Sequence, residues 1–145
     1  MVSVHDLLKE YIETGRIKLD KSIHEELTTL HDPCNYGRKS QKAFGHGYFE
    51  EPRWITQQCC ENYVEMYPNR MNNYCCGAGG GVKTAFPELA QKISSLRVED
   101  AERTGADILA TSCPFCYQSL KASIGAKGSR LRMMDLMELV RLSCG

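Results

Sequence analysis

The chain has 145 residues, and its 18 basic and 18 acidic side chains cancel at neutral pH. That length fits one domain, and the balanced charge excludes a bulk field for nucleic acid or an acidic partner. The apolar runs fall far short of the 18 residues or so of a spanning helix, so no direct membrane insertion is expected, and residues 1–14 lack the apolar stretch of a secretory leader.

Residues 3–14 read as an amphipathic helix with Val4, Leu7, Leu8, Tyr11 and Ile12 on one face, closed by Gly15. Residues 16–26 are charged and read as a connector. Residues 1–26 thus form a helical lead-in to a core spanning 27–143. Leu27–Leu30 is a candidate strand feeding the loop His31-Asp32-Pro33-Cys34. Residues 35–50 are polar and punctuated by glycine, hence loop. Glu51-Pro52-Arg53 opens a helix to Cys60, with proline at a tolerated first-turn position. Tyr63–Tyr67 has strand composition, and a turn over Pro68–Asn73 leads from it to Cys75.

Phe86-Pro87-Glu88 opens the strongest helix, running to Arg103, with Leu89, Ile93, Leu96 and Ala101 as its apolar face. Asp107–Thr111 is a short buried strand, and Pro114 starts a helix to Ala126. Leu131–Met133 is a last strand and Asp135–Leu142 a closing helix. Recurrent strand–loop–helix units predict a single α/β domain, 1–145, with a small mainly parallel sheet flanked by helices. Ligands gather at the carboxyl ends of such strands. Cys34, the Cys75–Cys76 pair and Cys113 each follow a predicted strand, so the fold would bring three distant loci to one edge.

Eight cysteines without a leader peptide suggest metal ligands or redox thiols in a reducing compartment rather than structural disulfides. Five of them form a pattern: Cys34, then Cys75-Cys76-Gly77, then Cys113-Pro114-Phe115-Cys116. Cys113 would stand at a helix N-terminus, which favours the thiolate needed for metal binding. The amides of Gly77, Gly79, Gly80 and Gly81 can form a nest that points N–H groups at sulfur. An adjacent pair is a poor chelate for one tetrahedral zinc, and five thiols exceed its four positions. A multi-iron core fits better. Cys113 and Cys116 alone would imitate a thioredoxin-type dithiol, but that motif needs neither the glycine nest nor a third cysteine locus.

The pattern resembles the cysteine-rich CCG domain of heterodisulfide-reductase-type proteins. Further matches are His31-Asp32-Pro33-Cys34 with Gly37-Arg38, then Glu51-Pro52-Arg53, Asn69-Arg70, Cys75 to Gly81, and Thr104-Gly105-Ala106-Asp107. The resemblance covers residues 28–142. It implies a non-cubane 4Fe–4S cluster held by Cys34, Cys75, Cys76, Cys113 and Cys116, and reductive chemistry on a disulfide. It also implies a redox partner subunit carrying ferredoxin-like clusters or flavin. Members usually carry two such motifs and often ferredoxin-like segments, whereas here there is one motif and no C-x2-C-x2-C-x3-C-P run. Electrons would then come from a partner, or the chain is one piece of a longer system. A cytoplasmic location follows, with any membrane association made through a partner. The alternatives are an electron-relay module without its own substrate and a zinc-stabilised structural domain. Material handled in air could be apo or zinc-loaded.

His31 is a candidate ligand or proton donor, against a role in orienting the Cys34 loop together with Asp32. Arg38 and Lys83 flank the cysteine loops as candidate anion contacts, against ordinary surface charge. His46 reads as solvated. Cys59 and Cys60 lie outside the motif and read as core thiols, with a redox-active pair as the other reading. Cys144 reads as a free thiol at a frayed end, and Met133, Met134 and Met137 as core packing. Gly79-Gly80-Gly81 lacks the Gly-Lys-Ser/Thr ending of a phosphate loop.

Overall fold

A computed structural model describes residues 2–144; Met1 and Gly145 lie outside the described residues. Three parallel strands, β1 (Thr28–His31), β2 (Ile108–Thr111) and β3 (Arg132–Asp135), pair in the order β1-β2-β3. Thr28 faces Ile108, which faces Arg132, and His31, Thr111 and Asp135 line up at the carboxyl end. β2 is central and buried along its whole length, as a parallel strand covered on both faces must be. Alternation along the strands divides the core. Leu109 and Met133 face one apolar cluster, and Leu30, Ile108, Ala110 and Met134 face another.

α5 (Pro87–Glu102) and α6 (Pro114–Lys127) cover the Leu109 face, and α3 (Glu50–Cys59) and α7 (Leu136–Ser143) cover the other. α1 (Val4–Glu13) lies outside α3, and α4 (Val82–Ala85) is a short helical turn packed on α5. It starts at a capping box in which Ser3 accepts from the His5 amide and Asp6 accepts from the Ser3 amide. Its inner face is His5, Leu8 and Ile12, while Val4 and Leu7 of the expected face are exposed. His5 turns the helix inward by packing edge-on to Tyr36.

Three other expectations need correction. Residues 35–50 are not all loop. The Gly37 and Lys39 amides reach back to the Pro33 and Cys34 carbonyls, forming one π-helical turn over Asn35–Lys39 that continues into α2 (Ser40–Phe44). Gly37 does not break this helix: a Cβ there would come within 2.5 Å of the Phe49 ring. Tyr63–Tyr67 is not a strand. Only Tyr63 bridges to Thr28, after which Glu65 is drawn to Arg53 and Met66 enters the core, pulling the chain off the sheet edge.

The third concerns α5, whose buried face is Ala90, Ser94, Arg97, Val98 and Ala101, not the leucine stripe. Leu89 and Leu96 are 50% and 53% exposed. The seam between α5 and α6 is built from small residues joined by hydrogen bonds. Ser94 donates to the Ser119 carbonyl, and Gln91 donates to the Ser123 hydroxyl. Close approach of the two helices therefore outranks apolar periodicity.

Leu109→Ala should cost about 2–5 kcal/mol, whereas Leu96→Ala should cost about 0.5 kcal/mol or less. Urea unfolding of the Leu96 variant checks which face of α5 is inside, with the Leu109 variant as the measure of a buried leucine in the cluster that α5 covers.

Candidate metal centre

The site begins at the carboxyl end of β1, where two successive residues point into opposite layers. His31 shares the Leu109 face, and its Nδ1 lies 3.0 Å from Nε of Arg97 on α5. Asp32 turns to the other layer and meets Arg53 of α3 through two bonds, Nη1 to Oδ1 at 2.6 Å and Nη2 to Oδ2 at 2.8 Å. Asp32 also accepts the Arg70 amide, and its carbonyl accepts the Asn73 side-chain amide. One residue thus ties the Cys34 loop to the Arg70–Asn72 turn that leads into Cys75. Burial alone would raise the Asp32 pKa, but the Arg53 hydrogen bonds and charge and the Arg70 amide bring it below the ordinary carboxylate value.

Cys34 follows β1 and Cys113 follows β2, as expected of a parallel sheet. Cys113 is the N-cap of α6, with Pro114 in the first turn, and Cys116 lies one turn in. The Cys75–Cys76 pair follows an irregular segment, not a strand, and the Asp32 contacts position that segment instead. Cys76, Cys113 and Cys116 are buried, and Cys34 and Cys75 are partly exposed. Cys34, Cys76, Cys113 and Cys116 line one cavity of about 330 Å³ with Asn35, Thr84, Phe115 and Gly79–Gly81. Cys75, next to Cys76 in the chain, does not line the cavity.

Charge in this knot is unevenly shared. Cys76 is held well below the usual thiol range by hydrogen bonds from Cys116 first and Cys75 next, with His31 and the Ala78 amide adding to them against burial. Cys113 is brought down to about 6 by Cys116 and by the Cys116 and Phe115 amides. The Cys116 thiol contributes most, and the two amides are the expected helix N-terminus acting on sulfur. Cys116 and Cys75 are correspondingly pushed up, because their thiol protons serve these charged neighbours. The set is soft, partly ionised and furnished with backbone N–H groups, including Gly77 N to Cys75 Sγ at 3.3 Å. Such donors suit iron–sulfur, zinc or copper(I) rather than hard cations. Among the described residues, His31, Cys76 and Cys116 also bring ligand atoms within 4.8 Å of one another.

The glycines divide into two roles. Gly77 has φ +80°, and a Cβ there would come within 2.6 Å of the Ala90 carbonyl, so this glycine lets the cysteine pair dock against α5. Gly79, Gly80 and Gly81 have open space around them and line the cavity wall.

Other sequence candidates fall away from the cavity. Arg38 and Lys83 do not line it. His46 is exposed, as expected, and its ring bonds to Glu51 at 2.7 Å. Cys59 and Cys60 pack in the α3/α7 core, and burial pushes Cys59 up to about 12. Cys144 is exposed. Periodicity did not point to Arg97, although a charged residue in register with Ala90, Ser94, Val98 and Ala101 was the available signal. Ser119, whose hydroxyl donates to the Cys76 carbonyl at 3.0 Å, carried no comparable signal.

Residues 28–121 match the CCG cysteine-rich domain family, and the chain belongs to it. It is 36% identical over 146 aligned positions to one subunit of the dihydromethanophenazine:CoB–CoM heterodisulfide reductase of Methanosarcina barkeri, covering all of this chain and 34% of that protein. It is 33% identical to one subunit of the fumarate reductase (CoM/CoB) of Methanothermobacter marburgensis, over 79% of this chain and 22% of that protein. It is 28% identical to the probable iron-sulfur-binding oxidoreductase FadF of Bacillus subtilis, over 95% of this chain and 19% of that protein. The chain thus spans about a third of the length of the heterodisulfide reductase polypeptide it matches.

Native-state alkylation should modify Cys144 readily and spare Cys59 and Cys60 until the protein unfolds, as mapped by mass spectrometry. Asp32→Asn should cost about 3 kcal/mol at pH 7. The Asp32 carboxylate is depressed on folding, so its stabilisation is present above the unfolded pKa of about 3.9 and is lost as pH falls through the lower folded value. Urea titrations from pH 7 to 2 should therefore show a flatter acid limb in the variant than in the parent.

Proposed function

We propose that this domain holds an iron–sulfur cluster, of non-cubane 4Fe–4S type, through Cys34, Cys75, Cys76, Cys113 and Cys116, and moves electrons to or from a disulfide or thiol. The observation that carries this reading is the convergence of four of these cysteines on one cavity, with the fifth next to Cys76 in the chain. When bound, such a cluster supplies one-electron chemistry at sulfur-ligated iron, which single thiols do not. The protein's own contribution is to present ionised sulfur and to keep the site in shape. Cys76 and Cys113 offer thiolate at low cost because thiol and backbone donors already stabilise it. The Gly77 amide directs its N–H at Cys75, the Ala78 amide at Cys76, and the Phe115 and Cys116 amides at Cys113. Asp32 and Arg53 keep the Cys34 loop and the Cys75 approach in one geometry.

Substrate access favours a reacting site over a sealed relay. Tyr74 and Phe115 are exposed, and Gly79–Gly81 are open rather than folded over the cavity. A substrate sulfur could approach along this wall while Thr84 and Asn35 offer polar contacts. Partner subunits bearing further redox groups would supply or remove electrons, in a heterodisulfide-reductase-like assembly. Among the described residues no helix is long and apolar enough to cross a membrane, so membrane association would be made through such a partner.

Anaerobic reconstitution followed by iron, zinc and sulfide analysis tests the cofactor. About four irons and four sulfides per chain are expected, with the content and the low-temperature EPR signal lost or strongly reduced in Cys76→Ser. Stoichiometric zinc without sulfide after reconstitution would overturn the reading in favour of a zinc-held structural domain.

A further inference from the structure

We propose that His31 is a fixed hydrogen-bond donor to the Cys76 sulfur, neither a ligand nor a proton source, and that Arg97 enforces this role and raises the reduction potential of the bound group. The inference rests on the cluster reading above and assigns to two buried side chains the setting of its potential.

Strand alternation places His31 on the α5 side, where it is 1% exposed. Its Nδ1 accepts from Arg97 Nε at 3.0 Å. A guanidinium only donates, so the Nδ1 lone pair is used and the one proton of a neutral imidazole sits on Nε2. A ring nitrogen lies within 4.8 Å of Cys76 Sγ, and Nε2–H is the donor left to face that sulfur. The approach of His31, Cys76 and Cys116 within 4.8 Å would otherwise suit three ligands of one ion. Ligation through Nε2 would require its lone pair, and the proton would then have to move to Nδ1, where the Arg97 N–H already points. The same lock bars a proton shuttle, because Nδ1 would have to be recharged through an arginine with no exposed surface.

Arg97 also leaves positive charge behind the ring. Its Nη1 bonds to Asp100 at 3.1 Å, and Nη2 has no partner among the described residues. Asp100 is shared with Arg103, whose Nη1 lies at 2.7 Å from its other oxygen. Arg103 is largely exposed and also lies 3.8 Å from Glu99, so Arg97 is the one buried cation of the group among the described residues. A buried cation behind an N–H···S bond stabilises an added electron on a thiolate-ligated group, and hydrogen bonds to ligand sulfur raise reduction potentials by the same physics.

The test is an EPR-monitored potentiometric titration of anaerobically reconstituted parent, His31→Leu, His31→Gln and Arg97→Met proteins, with iron and sulfide counted first. His31→Leu and Arg97→Met should reduce less easily by at least tenfold in equilibrium constant, about 59 mV for one electron. His31→Gln keeps an N–H and should lie nearer the parent. Unchanged midpoints in iron-replete His31→Leu and Arg97→Met would overturn this inference and leave the cluster reading standing. A parent protein without iron and sulfide would overturn both. Where variants fail to load, pulsed EPR of the parent labelled with 15N-histidine decides. The weak nitrogen coupling of a hydrogen-bond donor is expected, and a strong coupling or none overturns the assignment.

Discussion

The buried pair between Arg53 and Asp32 is the constraint on which the rest of the site depends. A guanidinium and a carboxylate taken out of water are costly unless their geometry satisfies both. Here the pairing is bidentate, and Glu65 and the Phe49 carbonyl take remaining Arg53 donors while the Arg70 amide takes a remaining Asp32 lone pair. That cross-link joins β1, α3 and the approach to Cys75, three stretches distant in sequence. Replacing it with apolar residues could match its stability but not its direction, since only a forked donor and a planar carboxylate fix the angle at which the Cys34 loop leaves the sheet.

Much of this architecture was legible in the sequence because glycine, proline and cysteine report backbone geometry directly. Pro87 and Pro114 open α5 and α6, and the strands leading to Cys34 and Cys113 lie within a residue or two of expectation. The cysteine constellation was legible too, because parallel strands deliver their loops to one edge. What misled was apolar periodicity. In α5 the leucines face out because Ala90, Ser94 and Ala101 allow a closer, hydrogen-bonded seam with α6. At Tyr63–Tyr67 the strand composition was real, yet a tertiary demand for Glu65 at Arg53 took the chain away after one bridge. Arg97 was obscure for the same reason, its partner lying 66 residues away, and Asp32 was legible as orienting the Cys34 loop while its partner 21 residues away was not.

The thiols are arranged so that binding of the proposed cluster would need little reorganisation. Backbone and thiol donors already favour negative charge on Cys76 and Cys113, and the helix N-terminus contributes at Cys113 alone. Membership of the CCG cysteine-rich family agrees with this arrangement. The two arginines at the end of β1 divide the labour. Arg53 holds the geometry from the α3 side, and Arg97 supplies charge from the α5 side.

Iron K-edge X-ray absorption of the anaerobically reconstituted protein tests the central claim most directly. The account expects a first shell of sulfur alone together with an iron–iron scattering shell, since five thiolates are assigned to a multi-iron core and His31 is assigned as a donor. A spectrum without iron–iron scattering, or with nitrogen in the first shell, would contradict it.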